Sequence, residues 1–251
     1  MAPAGARFNA LLAQWRAQIG TVPDPAAWVC SRCHGPCDPS YSYCYGCMRV
    51  FGSAPDSLRT RVVPLTSTFE EGPWYAQLVS YKTTSLDPWP LLGGLITRYA
   101  TIHAKNISAL LGGAPTAITV VPSKRGRPMQ KQPLYRVLAS AVTSSPGALP
   151  DPAMLLEYTG TPVLRQSYTP SAFRVPAGYR VKGARVVLVE DSWTSGATAV
   201  SAAGALLEGG AKKVVILPIA RLMKSSFWGN DHPYIKAMKA PYDIGHWPRS
   251  E

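Results

Sequence analysis

Residues 186–198 of this 251-residue chain read VVLVEDSWTSGAT. The four apolar residues at the start predict a buried β-strand, and the acidic pair Glu190 and Asp191 follows where that strand is expected to end. The small and hydroxyl-bearing residues 194–198 then predict a loop that leads into a helix. Backbone N–H groups of such a loop and the positive end of the helix dipole bind anions. The segment therefore predicts a phosphate site next to two carboxylates.

Two adjacent carboxylates suit a sugar, because their oxygens accept hydrogen bonds from a pair of hydroxyl groups. A phosphate loop beside such a pair describes a pocket for a ribose 5-phosphate. The alternative is an ordinary buried strand that is followed by a glycine-containing turn, with both acids in solvent. The phosphate-site hypothesis accounts for nearly every residue of the segment, whereas the alternative accounts only for the apolar run and the turn.

Residues 186–198 resemble the phosphoribosyl pyrophosphate (PRPP) motif of type I phosphoribosyltransferases, in which an apolar run and two acids precede a Thr/Ser pair, Gly and Thr. The resemblance implies that Glu190 and Asp191 are the catalytic residues and hold the 2- and 3-hydroxyls of PRPP, directly or through Mg²⁺. It also implies a set of residues that bind the 5-phosphate: Thr194, Ser195, Gly196, Ala197 and Thr198.

Predicted strands and helices alternate along the rest of the chain. The predicted strands are residues 60–69, 116–121, 185–189 and 214–219, with further short strands at 154–157 and 163–166. The predicted helices are residues 74–82, 90–111, 134–142 and 197–207, and an amphipathic N-terminal helix over 8–19 that ends near Gly20. Alternation of this kind predicts an α/β fold with a parallel sheet, whose ligands bind beyond the carboxyl ends of the strands. Together with the PRPP motif, it implies a type I phosphoribosyltransferase-like parallel sheet flanked by helices.

A basic loop follows the strand at 116–121, where residues 122–127 read PSKRGR. Lys124 and Arg125 are expected to bind the pyrophosphate of PRPP, since the loop is similar in placement to the pyrophosphate loop of type I phosphoribosyltransferases. The alternative is a basic turn at the surface. Lys82, at the end of the helix predicted at 74–82, either reaches a phosphate, as the resemblance suggests, or is solvated.

Two Cys-x-x-Cys pairs, Cys30 with Cys33 and Cys44 with Cys47, lie close together in the N-terminal part of the chain. Tetrahedral zinc takes four such ligands from two tight turns, and four thiolates leave no open position for catalysis, so we expect a structural zinc site. Disulfide pairing and c-type haem attachment at CSRCH are alternatives that require export. Cys37 and His34 lie between the pairs, and either residue is able to replace a ligand.

The formal net charge is +12 and is unevenly distributed. No acidic residue occurs in residues 88–150 or in residues 158–189. Such basic segments attract a polyanion, either PRPP or nucleic acid, or they form a solvated basic surface. No apolar run reaches the eighteen or so residues of a membrane-spanning helix, and the N-terminus carries no signal-peptide pattern. We therefore expect a soluble cytoplasmic protein with no membrane partner.

The order of these parts resembles the ComF family of competence-associated phosphoribosyltransferase-like proteins over roughly residues 30–221. The chain departs from that family at residues 127–132, where an Arg-Gly-Phe-Asn-Gln segment is usual, and at Trp193, where a small aliphatic residue is common. The domain division implied is an N-terminal helix and linker (1–27), a zinc-binding four-cysteine module (28–55), a phosphoribosyltransferase-like domain (56–222) and a C-terminal tail (223–251). The tail packs on the core or forms a hood over the sugar or a clasp in a possible homodimer.

The sequence is consistent with two functions. The first is transfer of the phosphoribosyl group of PRPP to a nitrogen acceptor. The second is non-catalytic binding of a phosphoribosylated nucleotide or of single-stranded DNA, in DNA uptake or processing. Thr194 stands where purine-salvage enzymes of this superfamily usually carry an Asp, and a hydroxyl is a poor general base near neutral pH. Salvage of 6-oxopurines is therefore disfavoured.

Overall fold

The computed structural model describes residues 4–56, 58, 60–82, 89–124, 131–144 and 149–248. A parallel sheet with the strand order β1–β7–β6–β3 forms its centre, and β2 pairs with β7 along the same edge as β1. The strands of this sheet are β1 (Arg61–Val62), β2 (Thr66–Phe69), β3 (Ala117–Val120), β6 (Arg185–Trp193) and β7 (Lys213–Met223). A separate antiparallel pair consists of β4 (Glu157–Tyr158) and β5 (Phe173–Arg174).

Helices cover both faces of the sheet. They are α1 (Ala4–Trp15), α2 (Tyr45–Gly52), α3 (Pro73–Ser80), α4 (Trp89–Ile102), α5 (Ala104–Leu111), α6 (Pro133–Ser144), α7 (Ala197–Glu208) and α8 (Pro233–Met238). Side chains alternate across β6, so Val187 and Val189 join the apolar core formed with α1, α4 and α6. Val186 and Leu188 point to the opposite face, where α7 and the cysteine residues pack. The prediction of an α/β fold with a mainly parallel sheet flanked by helices is confirmed.

Two predicted elements are divided in the structure. The strand predicted over 60–69 is β1 and β2, which flank Pro64. Val63 and Leu65 still donate to β7 at 2.9 Å, but Pro64 has no N–H to contribute. The helix predicted over 90–111 is α4 and α5, separated by His103, whose ring Nε2 lies 3.0 Å from the carbonyl oxygen of Ile244. The predicted helix stop is confirmed, because Gly112 ends α5 in the left-handed conformation.

The boundaries of several other elements differ from the predictions. The strand predicted over 185–189 continues to Trp193, because β7 runs beside it as far as Met223, so the acidic pair lies within the strand and not after it. The N-terminal helix ends at Trp15 and not near Gly20. Residues 163–166 form no strand, and the strand expected at 154–157 is limited to Glu157–Tyr158.

The C-terminal segment packs on the body of the protein. Tyr234, Ile235 and Met238 of α8 are buried together with Val29 and Met223. The hydroxyl of Tyr234 donates to the carbonyl oxygen of His34 at 2.8 Å, so α8 contacts the cysteine-containing segment directly. None of the helices in the described ranges has the length and apolar character that crossing a bilayer requires.

Candidate functional site

A pocket of about 490 Å³ opens at the carboxyl-terminal side of β3 and β6. The predicted site residues that line it are Glu190, Asp191, Thr194, Ser195, Gly196, Ala197, Thr198, Lys82 and Lys124. Arg125, the other residue predicted to bind pyrophosphate, lies outside the described residues. The structure therefore brings the acidic pair, the hydroxyl-rich loop and two of the predicted cations into one cavity.

The loop at 194–198 is shaped by Gly196. This glycine has φ +82°, and a Cβ atom added to it would lie 2.1 Å from Cζ2 of the buried Trp193 ring. Only glycine satisfies both the conformation and the close approach. The helix α7 begins at Ala197, and the N–H groups of its first turn have no partner within the helix. Thr194 is exposed and Ser195 and Thr198 are half-buried, so this end of α7 is open to an anion.

Asp191 is surrounded by hydrogen-bond donors. The hydroxyl of Tyr81 donates to its Oδ2 at 2.9 Å, and that of Ser192 donates to its Oδ1 at 2.9 Å. Lys82 Nζ lies 2.5 Å from Oδ2, with 44% of the lysine side chain and 14% of the aspartate side chain exposed. The structure thus places Lys82, which lies beyond the end of α3, against the carboxylate of Asp191.

Glu190 lies next to Asp191 but in a different environment. Its Oε2 is buried and accepts no hydrogen bond from any described residue, whereas its Oε1 is 3.3 Å from the backbone nitrogen of Asp191. Burial raises the pKa of Glu190 well above its usual range, and the charge of Asp191 raises it further. A carboxyl group with a raised pKa beside a second carboxylate in a cleft is typical of a functional site.

Sequence reasoning missed several residues of this pocket. Tyr81 contacts Asp191 although 110 positions separate them, and no local pattern indicates that contact. Gln132 Oε1 accepts from the backbone N–H of Ser123 at 3.0 Å, which ties the start of the basic loop to the residue before α6. The only feature of the sequence that points to Tyr81 as a pocket residue is its position directly before Lys82. Gln132 has no such signal, because its partner Ser123 lies nine positions earlier in the sequence.

The predicted metal ligands form a second site. The Sγ atoms of Cys30, Cys33, Cys44 and Cys47 all lie within 4.8 Å of one another. Tetrahedral zinc with Zn–S bonds of about 2.3 Å places its sulfur atoms about 3.8 Å apart, and the Cys33 and Cys44 sulfurs are 3.7 Å apart. The four cysteines can therefore hold a metal ion. Cys37 lies outside this group, and its Sγ donates to the carbonyl oxygen of Tyr41 at 3.2 Å.

A groove of about 1,060 Å³ lies between the cysteine segment and β1. Tyr41 and Tyr43 line it, with 56% and 37% of their surfaces exposed. The guanidinium of Arg32 lies 4.7 Å from the centre of the Tyr43 ring. The charged residues in the lining are Arg32, Arg61, Lys213 and Asp56. This groove is therefore basic and aromatic.

Comparisons of the chain with protein-family models, with curated proteins and with solved structures gave no match. The chemistry of two sites indicates what the protein is able to bind. One site presents two adjacent carboxyl side chains and the N-terminal end of α7 within a single cavity. The other presents four thiols at metal-binding distances.

Proposed function

We propose that the pocket at 190–198 binds PRPP or another ribose 5-phosphate group, and that the chain is a ComF-like protein with a type I phosphoribosyltransferase fold. The observation that carries this proposal is the common cavity of Glu190, Asp191 and residues 194–198. A ribose 5-phosphate carries two vicinal hydroxyls at one end and a phosphate at the other. The carboxylates suit the hydroxyls, and the start of α7 suits the phosphate.

The charges around the cavity support a substrate that also carries pyrophosphate. Lys124, in the basic loop that follows β3, lines the same pocket. Glu190 Oε2 has no hydrogen-bond partner among the described residues, and a sugar hydroxyl would supply one. Mg²⁺, if bound with PRPP, would be held by carboxylate and pyrophosphate oxygens and would neutralise charge on the departing pyrophosphate. Glu190 and Asp191 would be its protein ligands.

If the pocket is catalytic, a nitrogen nucleophile attacks C1 of PRPP and pyrophosphate leaves through an oxocarbenium-like state. The chain's contribution is then positioning, since Asp191 is already oriented by Tyr81, Ser192 and Lys82. Thr194 offers no effective general base, so an acceptor that is already nucleophilic fits best. Pyrophosphate release from PRPP with a panel of nitrogen nucleophiles distinguishes transfer from simple binding.

The metal at the cysteine cluster is proposed to be zinc in a structural role. Four thiolates complete a tetrahedral shell, and Cys30, Cys33 and Cys47 are buried. The cluster lies among the residues that pack against α7 on one face of the sheet. Its metal therefore contributes to the stability of that face.

Thermal stabilisation by PRPP with Mg²⁺ tests the pocket. At a PRPP concentration one hundred times the dissociation constant, the unfolding temperature should rise by roughly 5–10 °C. Asp191→Asn should abolish the shift, whereas Asp151→Asn, at an exposed carboxylate outside the pocket lining, should retain it. No shift in the wild-type protein, or an equal shift in Asp191→Asn, would contradict the proposal.

The basic, aromatic groove favours a second function, binding of single-stranded DNA. Bases stack on aromatic rings and arginines contact phosphates in such grooves, and each stacked base contributes about 1–3 kcal/mol. Tyr41→Ala should weaken binding of an oligothymidine by at least about fivefold and Asp191→Asn should not. Tyr45→Ala is the matched control, because Tyr45 is 62% exposed and does not line the groove. Equal losses in both tyrosine variants would contradict binding in the groove.

A further inference from the structure

Arg221 lies near the C-terminal end of β7, and it is the only arginine or lysine in the described ranges whose side chain is buried. Its Nη1 donates to the carbonyl oxygen of Trp193 at 2.9 Å and also to that of Leu222. Its Nε is buried and donates to no described residue. A buried guanidinium is costly unless negative charge lies nearby.

The cysteine segment packs against this guanidinium. The guanidinium lies over Gly35, where an added Cβ atom would come within 2.6 Å of Nη2, and Gly35 is two residues from Cys33. Burial disfavours the charged form of Arg221, but the neighbouring Cys33 and Cys44 favour it, and its pKa is raised above the ordinary arginine value. Four thiolates around a divalent cation leave an excess of negative charge. Arg221 would offset part of this excess when a metal ion is bound.

The same cluster touches the loop at 194–198. Gly46 lies between Cys44 and Cys47, and a Cβ atom added to it would lie 3.4 Å from Ser195 Cα and 3.6 Å from the Ser195 carbonyl oxygen. Trp193, whose carbonyl accepts from Arg221, directly precedes that loop. The cysteine segment is thus connected to the loop by a packing contact and by a buried cation.

We propose that the metal-bound cysteine cluster positions the phosphate loop, and that Arg221 is the positioning residue that links the charge of the cluster to the Trp193 carbonyl. This inference rests on the proposed role of residues 194–198 in phosphate binding. Without the metal, the two Cys-x-x-Cys turns are no longer joined through one ion, so Gly35 and Gly46 are less firmly held against Arg221 and Ser195. The carbonyl of Trp193 and the backbone of Ser195 then lose their fixed supports, so metal binding and phosphate binding are coupled.

The proposed interaction between Arg221 and the charge of the metal-bound cysteine cluster, here called the charge link, is tested by Co²⁺ titration. The titration is followed through the thiolate-to-cobalt absorption. Arg221→Met should weaken Co²⁺ binding by about tenfold or more, as loss of a residue supporting metal ligands typically does. Arg221→Lys keeps the charge and should recover most of the affinity. If Arg221→Met binds Co²⁺ as tightly as the wild-type protein, the charge link does not exist.

The contact between Gly46 and Ser195, here called the packing link, is tested with ribose 5-phosphate as the probe. Zinc is present at concentrations that saturate each protein. Gly46→Val adds methyl groups toward Ser195 and should weaken binding by about fivefold or more, within the usual range of coupling between sites. Gly52→Val is the matched control, because Gly52 ends the same helix α2 and has no atom within 4 Å of its added Cβ. Equal affinities of the two variants would overturn the packing link.

Removal of zinc by a chelator completes the test and separates the two proposals. The zinc-free wild-type protein should bind ribose 5-phosphate at least about fivefold more weakly than the zinc-loaded protein. Equal affinity with and without zinc contradicts the coupling alone and leaves phosphate binding intact. A zinc-loaded protein that binds neither PRPP nor ribose 5-phosphate contradicts the proposed function, while the Co²⁺ titration still reports on Arg221.

Discussion

The hydroxyl group of Tyr81 donates a 2.9 Å hydrogen bond to Asp191 Oδ2 from a side chain that is only 3% exposed. This bond joins the segment after α3 to the C-terminal part of β6. Burial raises the pKa of Tyr81 well above its usual range, and the charge of Asp191 adds to this effect, so the phenol remains a donor. The carboxylate of Asp191 is therefore oriented before any ligand binds.

Replacement of Tyr81 by phenylalanine should destabilise the protein, because it removes a buried hydrogen bond to a carboxylate. Bonds to charged groups contribute about 1.5–3 kcal/mol, so we expect a loss of that size in the free energy of unfolding. Urea denaturation with excess zinc measures it. Tyr99→Phe is the matched control, because Tyr99 is equally buried but its hydroxyl has no partner among the described residues. Equal losses in both variants would contradict the assigned role of Tyr81.

Glu190→Gln should stabilise the protein at neutral and alkaline pH. The folded-state pKa of Glu190 is raised, first by burial and then by Asp191, so the folded state holds its proton where the unfolded chain has released it. Stability is therefore lost as the pH rises from the unfolded pKa, near 4.5, through the folded pKa. Glutamine does not titrate and avoids this loss.

The gain from Glu190→Gln should thus be near zero at about pH 4 and largest at about pH 8. A pKa difference of one between the folded and unfolded states corresponds to about 1.4 kcal/mol, so a gain of at least about 1 kcal/mol, or roughly 2–4 °C in unfolding temperature, is expected at the higher pH. Thermal unfolding at a series of pH values measures it, with Asp151→Asn as the exposed control. A gain that does not change with pH would rule out the titration of Glu190 as its cause.

The parts of the site that could be predicted from sequence are those that a short segment encodes by itself. Apolar residues 186–189, the acidic pair and Gly196 predict a strand, a pair of carboxylates and a loop without reference to the rest of the chain. The two Cys-x-x-Cys pairs likewise predict one convergent cluster, because each pair is a single tight turn. These features do not depend on the tertiary fold.

The parts that could not be predicted depend on contacts between distant segments. Strand β6 extends to Trp193 because β7 is long enough to pair with it there. The sequence of β6 does not indicate the length of β7. The division of α4 from α5 accompanies the contact between His103 and Ile244 in the C-terminal segment. In the sequence, nothing distinguishes Arg221 from the other basic residues of a chain of net charge +12. Only its position beside the cysteine segment indicates a role.

Cys33→Ser should remove bound metal from the protein, and Cys37→Ser should not. Cys33 belongs to the four-cysteine cluster, and its replacement removes one thiolate ligand. Cys37 is buried as well, but its Sγ donates to Tyr41 outside that cluster. The Cys37 variant should therefore retain about one metal ion per chain after dialysis, as four thiolates bind one zinc ion, and the Cys33 variant should lose most of it. Elemental analysis measures the metal, and loss from both proteins would place Cys37 among the ligands.

Gly196→Ala should cost more stability than Gly160→Ala, although both glycines have positive φ angles. The left-handed conformation alone costs alanine about 1–2 kcal/mol, and this is the whole expected effect at Gly160, where no atom lies within 4 Å of an added Cβ. At Gly196 the Cβ would also lie 2.1 Å from the Trp193 ring, which is only 1% exposed. The loop must then shift, so the variant should also lose PRPP binding. Urea denaturation and PRPP titration of both variants measure these effects, and equal losses would show that the ring does not constrain the loop.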